Sequence, residues 1–277
     1  MKHHRPIGTM LAAALALAAC GGGASSPTNP PATTSATSGA STELSIFAAA
    51  SLRSALEQAQ VAYEATHPGV TLAISTDSSA ALETQIEQGA PSDVFLSADT
   101  ANPKKLVDAG FAAGAAVVFA GNKLTIIVPT GNPAGVESAQ DLAEDGLRII
   151  AAGDEVPITK YAKQLLANLA REPGYPVGFE AAVTANIVTR VDNVKAVVAQ
   201  VELGQGDAAI VYVTDAQAST KVESVAVPDE ANVTAEYAGV LVGASAHQRE
   251  SAQFLAWLAG PDGQAVLGGF GFLPPPA

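Results

Sequence analysis

The chain has 277 residues, of which 48% are hydrophobic and 15% charged, so it can build a core, and disorder along its whole length is excluded. Its formal net charge of −13 at pH 7 is the opposite of what binding to nucleic-acid phosphates requires. A single cysteine excludes an intramolecular disulfide, and four histidines leave little for a metal site.

The first residues predict a secretion signal. A basic start at Lys2–Arg5 precedes an apolar run, Ile7–Ala19, which is too short to span a hydrocarbon core of ~30 Å. Small residues then lead into Cys20, and this arrangement resembles the processing site of bacterial lipoproteins. We therefore expect residues 1–19 to be a lipoprotein signal peptide. Cys20 is expected to carry a lipid that anchors the protein to the cell membrane on its extracytoplasmic side. An ordinary signal peptide, or a buried and unmodified cysteine, is the alternative.

The segment after Cys20 predicts a tether. Up to Thr42 it has no charged residue and consists almost entirely of Gly, Ala, Ser, Thr and Pro. Such a composition cannot bury a core. Residues 20–42 are therefore expected to be the lipidated cysteine and a flexible linker.

The remaining chain alternates short apolar runs with helical periodicity. In chain order it predicts strand 44–47, helix 52–63, strand 70–74, helix 81–86, strand 93–96 and a helix with Pro103 in its first turn. It continues with strands 124–128 and 147–150, helix 160–169, strand 187–189, helix 194–203, strands 208–213, 222–227 and 236–242, and helix 251–258. This alternation predicts an α/β fold of mostly parallel sheets flanked by helices. Two lobes with a cleft fit its size better than one sheet.

Hydroxyl groups stand where predicted strands turn into helices. Ser51 follows the first strand, and Ser78 and Ser79 follow the second. In an open α/β sheet these turns line the crevice that binds ligands, and a helix N-terminus offers unpaired N–H groups to an anion. Helix capping, for which serine is well suited, is the alternative. The Gly204-Gln205-Gly206 turn is similar to a dinucleotide fingerprint, but it follows a helix and precedes a strand, so we interpret it as a helix stop.

Several segments in the same order resemble the molybdate-binding proteins of bacterial ABC importers. The resemblance extends from Leu44 to Leu273 and is carried by these segments: Phe47–Leu52, Gly89–Asp99, Val156–Pro157 with Tyr161–Lys163, Asp192–Lys195, Ile210–Tyr212 and Phe270–Phe272.

The resemblance implies a two-lobed fold of the type II periplasmic-binding-protein class, with an oxyanion in the cleft. One lobe would comprise residues 43–122 and 237–277 and the other residues 123–236, joined by a two-segment hinge. It implies a monomeric binding protein and not an enzyme, without a cofactor, whose ligand is molybdate or tungstate and whose partner is the permease of an ABC importer.

The same resemblance implies five ligand-binding residues. Ser51 and Ser79 would donate hydroxyl hydrogen bonds, with Ser78 as the alternative to Ser79. Ile158 and Val194 would donate backbone N–H groups, and Tyr212 a phenolic hydroxyl. The family usually has a small residue and then Gly where this chain has Ile158-Thr159, which puts the local geometry there in question.

Three other functions fit the sequence less well. The same architecture could hold sulfate, phosphate or a small organic anion. Ser51 could be the nucleophile of a surface-anchored hydrolase, which would need a base at hydrogen-bond distance. A scaffold or adhesion module would bind no small anion at all.

Overall fold

The computed structural model describes residues 41–276, so the predicted signal peptide and Cys20 lie outside the described residues. The strands are β1 (Thr42–Ala49), β2 (Val70–Asp77), β3 (Val94–Ser97), β4 (Val117–Asn122), β5 (Leu124–Pro129), β6 (Ile149–Ala152), β7 (Ile187–Val191), β8 (Ala209–Tyr212), β9 (Val222–Val225) and β10 (Ala235–Leu241). The α-helices are α1 (Arg53–Thr66), α2 (Ser79–Glu87), α3 (Ala101–Asp108), α4 (Pro157–Leu169), α5 (Phe179–Ala185), α6 (Val194–Glu202), α7 (Val213–Gln217), α8 (Gln248–Ala259) and α9 (Pro261–Gly269). Short 3-10 helices cover Ala50–Leu52 and Ala139–Ala143.

The first sheet has five strands in the order β2-β1-β3-β10-β4. Strands β2 and β3 run parallel to β1, whereas β10 is antiparallel to both β3 and β4. Helices α1 and α2 pack against the parallel strands, and β3 is buried along its whole length. Ile46 in β1 lies beside Ile74 and Val94, and both Ile46 and Val94 are fully buried.

The other strands form a three-stranded sheet, β8-β5-β9, and a two-stranded sheet, β6-β7. A bridge between Ile149 and Ala208 joins them. The α/β class is confirmed, but the sheets are mixed rather than mostly parallel: β5 is antiparallel to β8 and β9. These antiparallel pairs join strands that are far apart in sequence, such as β3 with β10 and β5 with β8, so no single strand-helix-strand crossover fixes their direction.

The path of the chain explains how the two sets of strands are connected. It leaves the five-stranded sheet after Asn122 and returns to it at Ala235. The predicted helix stop at Gly204 is confirmed, because this residue follows α6 with a φ of +67°, where glycine is favoured. Among the described helices, none combines the length and the apolar character that a membrane span requires.

Strand register brings distant turns to one edge. Ala49, the last residue of β1, lies opposite Asp77, the last residue of β2, and Ala48 lies opposite Leu96 of β3. Because these strands are parallel, the turns that follow them emerge side by side. The same holds for β6 and β7, where Ala152 lies opposite Val191 shortly before α4 and α6 begin.

Candidate functional site

A small cavity lies where these turns meet. It is lined by all five residues that the sequence singled out, together with Ser78, small alanines and turn residues: Ala49, Ala50, Ser51, Ser78, Ser79, Ala98, Val156, Pro157, Ile158, Asn193, Val194 and Tyr212. They come from the five-stranded sheet on one side and from the other two sheets on the opposite side. Residues up to about 160 positions apart in sequence therefore line the same cavity.

Ser51 lies in the short 3-10 turn between β1 and α1 and is 5% exposed. Its Oγ is 2.9 Å from the hydroxyl oxygen of Tyr237. Its side chain caps neither the 3-10 turn nor α1, so the capping alternative is wrong for this residue. Local helix formation does not account for a buried hydroxyl at this position.

Ser78 and Ser79 differ in what holds them. Ser78 is the N-cap of α2, where its Oγ accepts a hydrogen bond from the N–H of Ala81 at 3.2 Å. The hydroxyl of Ser79 accepts a hydrogen bond from the N–H of Ala98 at 3.0 Å. Ser79 is the first residue of the helix, so its own N–H has no acceptor within α2. Capping therefore explains Ser78, whereas Ser79 keeps both an O–H and an N–H to donate.

Ile158 and Val194 lie in the first turns of α4 and α6. At these positions backbone N–H groups have no intrahelical partner, and the helix dipole adds partial positive charge. The Ile158 side chain is 2% exposed and belongs to the hydrophobic core. Thr159 donates its hydroxyl hydrogen bond to the carbonyl of Ala152 at 3.0 Å. This hydrogen bond and the burial of Ile158 stabilise the turn at the Ile158-Thr159 pair.

Tyr212 ends β8 and is 1% exposed. Within residues 41–276 its hydroxyl has no hydrogen-bond partner, which is costly for a buried polar group. Burial raises the pKa of Tyr212 well above its usual value, and the neighbouring Tyr237 adds to the shift. The pKa of Tyr237 is likewise raised by burial and by the charge of Asp215. Both phenols therefore stay protonated and can act as donors.

The cavity wall carries no formal charge in the described part of the chain. Two lysines stand nearby, and each is paired with a buried carboxylate: Lys160 Nζ lies 3.5 Å from Asp99, and Lys195 Nζ lies 3.0 Å from Asp215. Burial raises the pKa of Asp215, and Lys195 opposes that shift. The attraction for an anion must therefore come from N–H and O–H dipoles.

Sequence reasoning did not identify Tyr237, Asp77 or Asn193 as parts of the site. Asn193 had a detectable signal, since an Asx residue before an apolar helical run is a typical N-cap; its side chain accepts the N–H of Ala196 at 3.0 Å. Tyr237 had none, because its contact with Ser51 spans 186 positions.

The donor set suits an anion and not a metal cation or a nucleophile. In residues 41–276 no group of three or more His, Cys, Asp or Glu side chains could hold a metal ion. Ser51 contacts a tyrosine of raised pKa, which is not a general base. Neutral hydroxyl and N–H groups that line one space can donate hydrogen bonds to a negatively charged guest and so replace the water around it.

Comparison with known proteins adds independent information. A family described as bacterial extracellular solute-binding protein matches residues 44–273. The molybdate-binding protein ModA of Mycobacterium tuberculosis H37Rv is 35% identical over 231 residues, which cover 83% of this chain and 84% of that protein. ModA of Haemophilus influenzae is 30% identical and covers 84% and 91%. In structure, the periplasmic molybdate-binding protein of Azotobacter vinelandii superposes with a TM-score of 0.71 at 27% identity, covering 84% of this chain and all of that one.

Proposed function

The chain belongs to the bacterial extracellular solute-binding proteins, which are binding proteins and not enzymes, and we propose that its ligand is molybdate. We propose that it binds tungstate equally well and delivers the anion to the permease of an ABC importer. Its fold is the α/β architecture of type II periplasmic binding proteins. We further propose that it acts as a monomer and needs no cofactor.

The observation that carries this proposal is the set of unpaired donors around one small cavity. The first turns of α2, α4 and α6 line it with N–H groups that have no acceptor within their helices, and the buried Tyr212 hydroxyl lacks a partner among the described residues. A tetrahedral dianion can accept all of these bonds, and charge-assisted hydrogen bonds are about twice as strong as neutral ones. We assign Ser51, Ser79, Ile158, Val194 and Tyr212 as its ligands.

Motion between two lobes would give the anion access. We propose one lobe of residues 43–122 and 237–277 and another of residues 123–236. Two passages support this division: the chain leaves the five-stranded sheet after Asn122 and rejoins it at Ala235. Two crossings of this kind act as a hinge about which a cleft can open and close.

The chemistry of the wall argues against phosphate. Near neutral pH phosphate keeps a proton that needs an acceptor, and no carboxylate lines the cavity in the described part of the chain. Sulfate is fully ionised but smaller than molybdate. Because helix N-termini are rigid, sulfate cannot reach every donor at once, and one lost charge-assisted bond costs about 1.5–3 kcal/mol.

Calorimetric titration of the purified protein with molybdate, tungstate, sulfate and phosphate tests the proposal. We expect molybdate and tungstate to bind with similar affinity and sulfate about 100-fold more weakly, by the loss of about one such hydrogen bond. Tighter binding of sulfate would assign the site to another oxyanion, and no binding of any anion would favour a scaffold.

Ser51→Ala and Ser92→Ala form a matched pair for the same titration. Ser51→Ala removes one hydroxyl donor but keeps the backbone, so molybdate should bind about tenfold more weakly. Ser92 is also buried, but its hydroxyl donates to the carbonyl of Val94 and lies outside the cavity wall, so Ser92→Ala should leave the affinity unchanged. Equal affinities in the two variants would place the site elsewhere.

We also propose that Cys20 carries a lipid that holds the protein at the membrane. The support is the apolar run that ends at Cys20 and the uncharged linker that follows. In cells that produce the protein, Cys20→Ser should shift it from the membrane fraction to the soluble extracytoplasmic fraction. A variant that still sediments with membranes in high salt would contradict lipid anchoring.

A further inference from the structure

Two polar contacts connect the two sides that form the cavity. Nδ2 of Asn193, the N-cap of α6, donates to Oδ1 of Asp77, the last residue of β2, at 3.0 Å. Lys160 Nζ, in the first turn of α4, lies 3.5 Å from Oδ2 of Asp99, which follows β3. In both cases the carboxylate belongs to the five-stranded sheet side and the donor to the opposite side.

The Asp77–Asn193 contact joins two groups that are already fixed. Asp77 Oδ1 also accepts the N–H of Ser78 at 2.7 Å, and Asn193 Oδ1 accepts the N–H of Ala196 at 3.0 Å. Each side chain is therefore held by its own turn before the two meet. Joining preorganised groups loses little conformational entropy, so the contact gains most of its hydrogen-bond energy.

The Asp99–Lys160 contact has a different character. Asp99 is 4% exposed and is held by the hydroxyl of Ser97 at 2.8 Å and by Asn102 at 3.0 Å. The Lys160 side chain is 46% exposed, and its ammonium is at the long end of an ion-pair distance. Water and side-chain entropy weaken such pairs, so this contact is the weaker of the two.

The position of Asp77 and Asn193 links them to the anion. Asp77 directly precedes Ser78 and Ser79, and Asn193 directly precedes Val194. Their hydrogen bond therefore ties together the first turns of α2 and α6, which supply donors from opposite sides of the cavity. Separation of the two sides would break this bond before the donors could leave the anion.

We propose that Asp77 and Asn193 form a latch that holds the cavity closed over its anion and sets how slowly the anion is released. Asp77 and Asn193 are positioning residues. The ion pair Asp99–Lys160 is a second and weaker contact that also holds the two sides together. This inference rests on the proposed function. The latch forms after the anion has entered, so it acts on release and not on capture.

Asn193→Asp gives the sharpest test because aspartate is as good an N-cap as asparagine, so α6 keeps its start. The substitution replaces the donor that faces Asp77 with a second carboxylate. We expect radiolabelled molybdate, chased with excess unlabelled molybdate, to leave this variant about tenfold faster or more, as the loss of one hydrogen bond and a new charge repulsion imply. Because Asn193 lines the cavity, the new carboxylate should also slow association, whereas Asn193→Ser, which adds no charge, should keep the association rate within about threefold of wild type, since encounter precedes latching.

The reversed pair provides the matched control. In the double variant Asp77→Asn with Asn193→Asp, the amide lies on β2 and the acceptor on α6, so the hydrogen bond can form in the opposite direction. Release should be slower than from Asn193→Asp alone, because one hydrogen bond is restored while the carboxylate at position 193 lines the cavity in both variants. Asn193→Ser keeps the cap without adding a charge, and it should release molybdate faster than wild type but more slowly than Asn193→Asp.

The outcomes separate the latch from the function. Unchanged release from both Asn193→Asp and Asn193→Ser, in a protein whose wild-type form binds molybdate, would overturn the latch alone. A double variant that releases as fast as Asn193→Asp would also overturn it. Failure of the wild-type protein to bind molybdate would overturn the proposed function, and the latch with it.

Discussion

Replacing Val194 with proline is expected to weaken molybdate binding about 100-fold while the ligand-free protein melts within about 2 °C of wild type. Val194 is the first residue of α6, a position where proline is well accepted because its missing N–H has no intrahelical acceptor. Asn193 has φ −155° and ψ 169°, an extended conformation that suits the residue before proline. The substitution therefore removes one donor to the anion, and the proline ring adds bulk in its place.

Val194→Ala is the control for that substitution. It removes most of the same side chain but keeps the N–H group, so molybdate affinity should stay within about twofold of wild type, a difference well below one hydrogen bond. Calorimetry gives the affinity, and thermal unfolding monitored by circular dichroism gives the stability. If Val194→Ala weakened binding as much as Val194→Pro, the side chain and not the backbone would be responsible.

Tyr212→Phe should weaken molybdate binding about 50-fold and at the same time raise the free energy of unfolding of the ligand-free protein by about 1 kcal/mol. The hydroxyl of Tyr212 is buried without a partner among the described residues, so its removal relieves a cost whenever the ligand-free protein adopts this closed arrangement. In the complex the same removal leaves an oxygen of the anion unpaired. Opposite changes in stability and affinity are the signature of a group that is kept for binding.

Tyr63→Phe is the matched control. Tyr63 is also fully buried, and its hydroxyl likewise lacks a partner within residues 41–276, but it lies in α1 and does not line the cavity. We expect a similar gain in the free energy of unfolding without any change in molybdate affinity. Denaturant unfolding and calorimetry measure the two quantities. A loss of stability in Tyr212→Phe would show that its hydroxyl makes a hydrogen bond in the ligand-free protein.

The sequence predicted those parts of the fold and site that depend on local patterns. Ser51 and Ser79 could be singled out because each follows an apolar strand and begins a helical stretch, and parallel register then brings such turns together. The role of the Ser51 side chain was harder to predict from the sequence, since helix capping and ligand binding both favour serine. The contact of Ser51 with Tyr237, which lies far along the chain, distinguishes ligand binding from helix capping.

The elements that the sequence missed have weak local signals. Strand β4 lies among alanines and glycines, and helix α5 has only seven residues and follows a turn rich in proline and glycine. Both are stabilised by neighbours: β4 pairs with β10, more than a hundred residues later. The direction of β10 was also unpredictable, because it depends on how the chain returns from the other sheets. The same distance hid the contact between Asp77 and Asn193.

Among the described residues, the cavity wall has no side chain that titrates near neutral pH, and this has a consequence for how the anion is released. Serine hydroxyls, backbone N–H groups and phenols of raised pKa keep their protons throughout the range in which cells live. A moderate change of acidity therefore leaves the charge of the cavity wall unchanged. Under the proposed function, the anion therefore leaves when the two sides of the cavity separate, so unloading is governed by the rate of that opening and not by protonation of the wall.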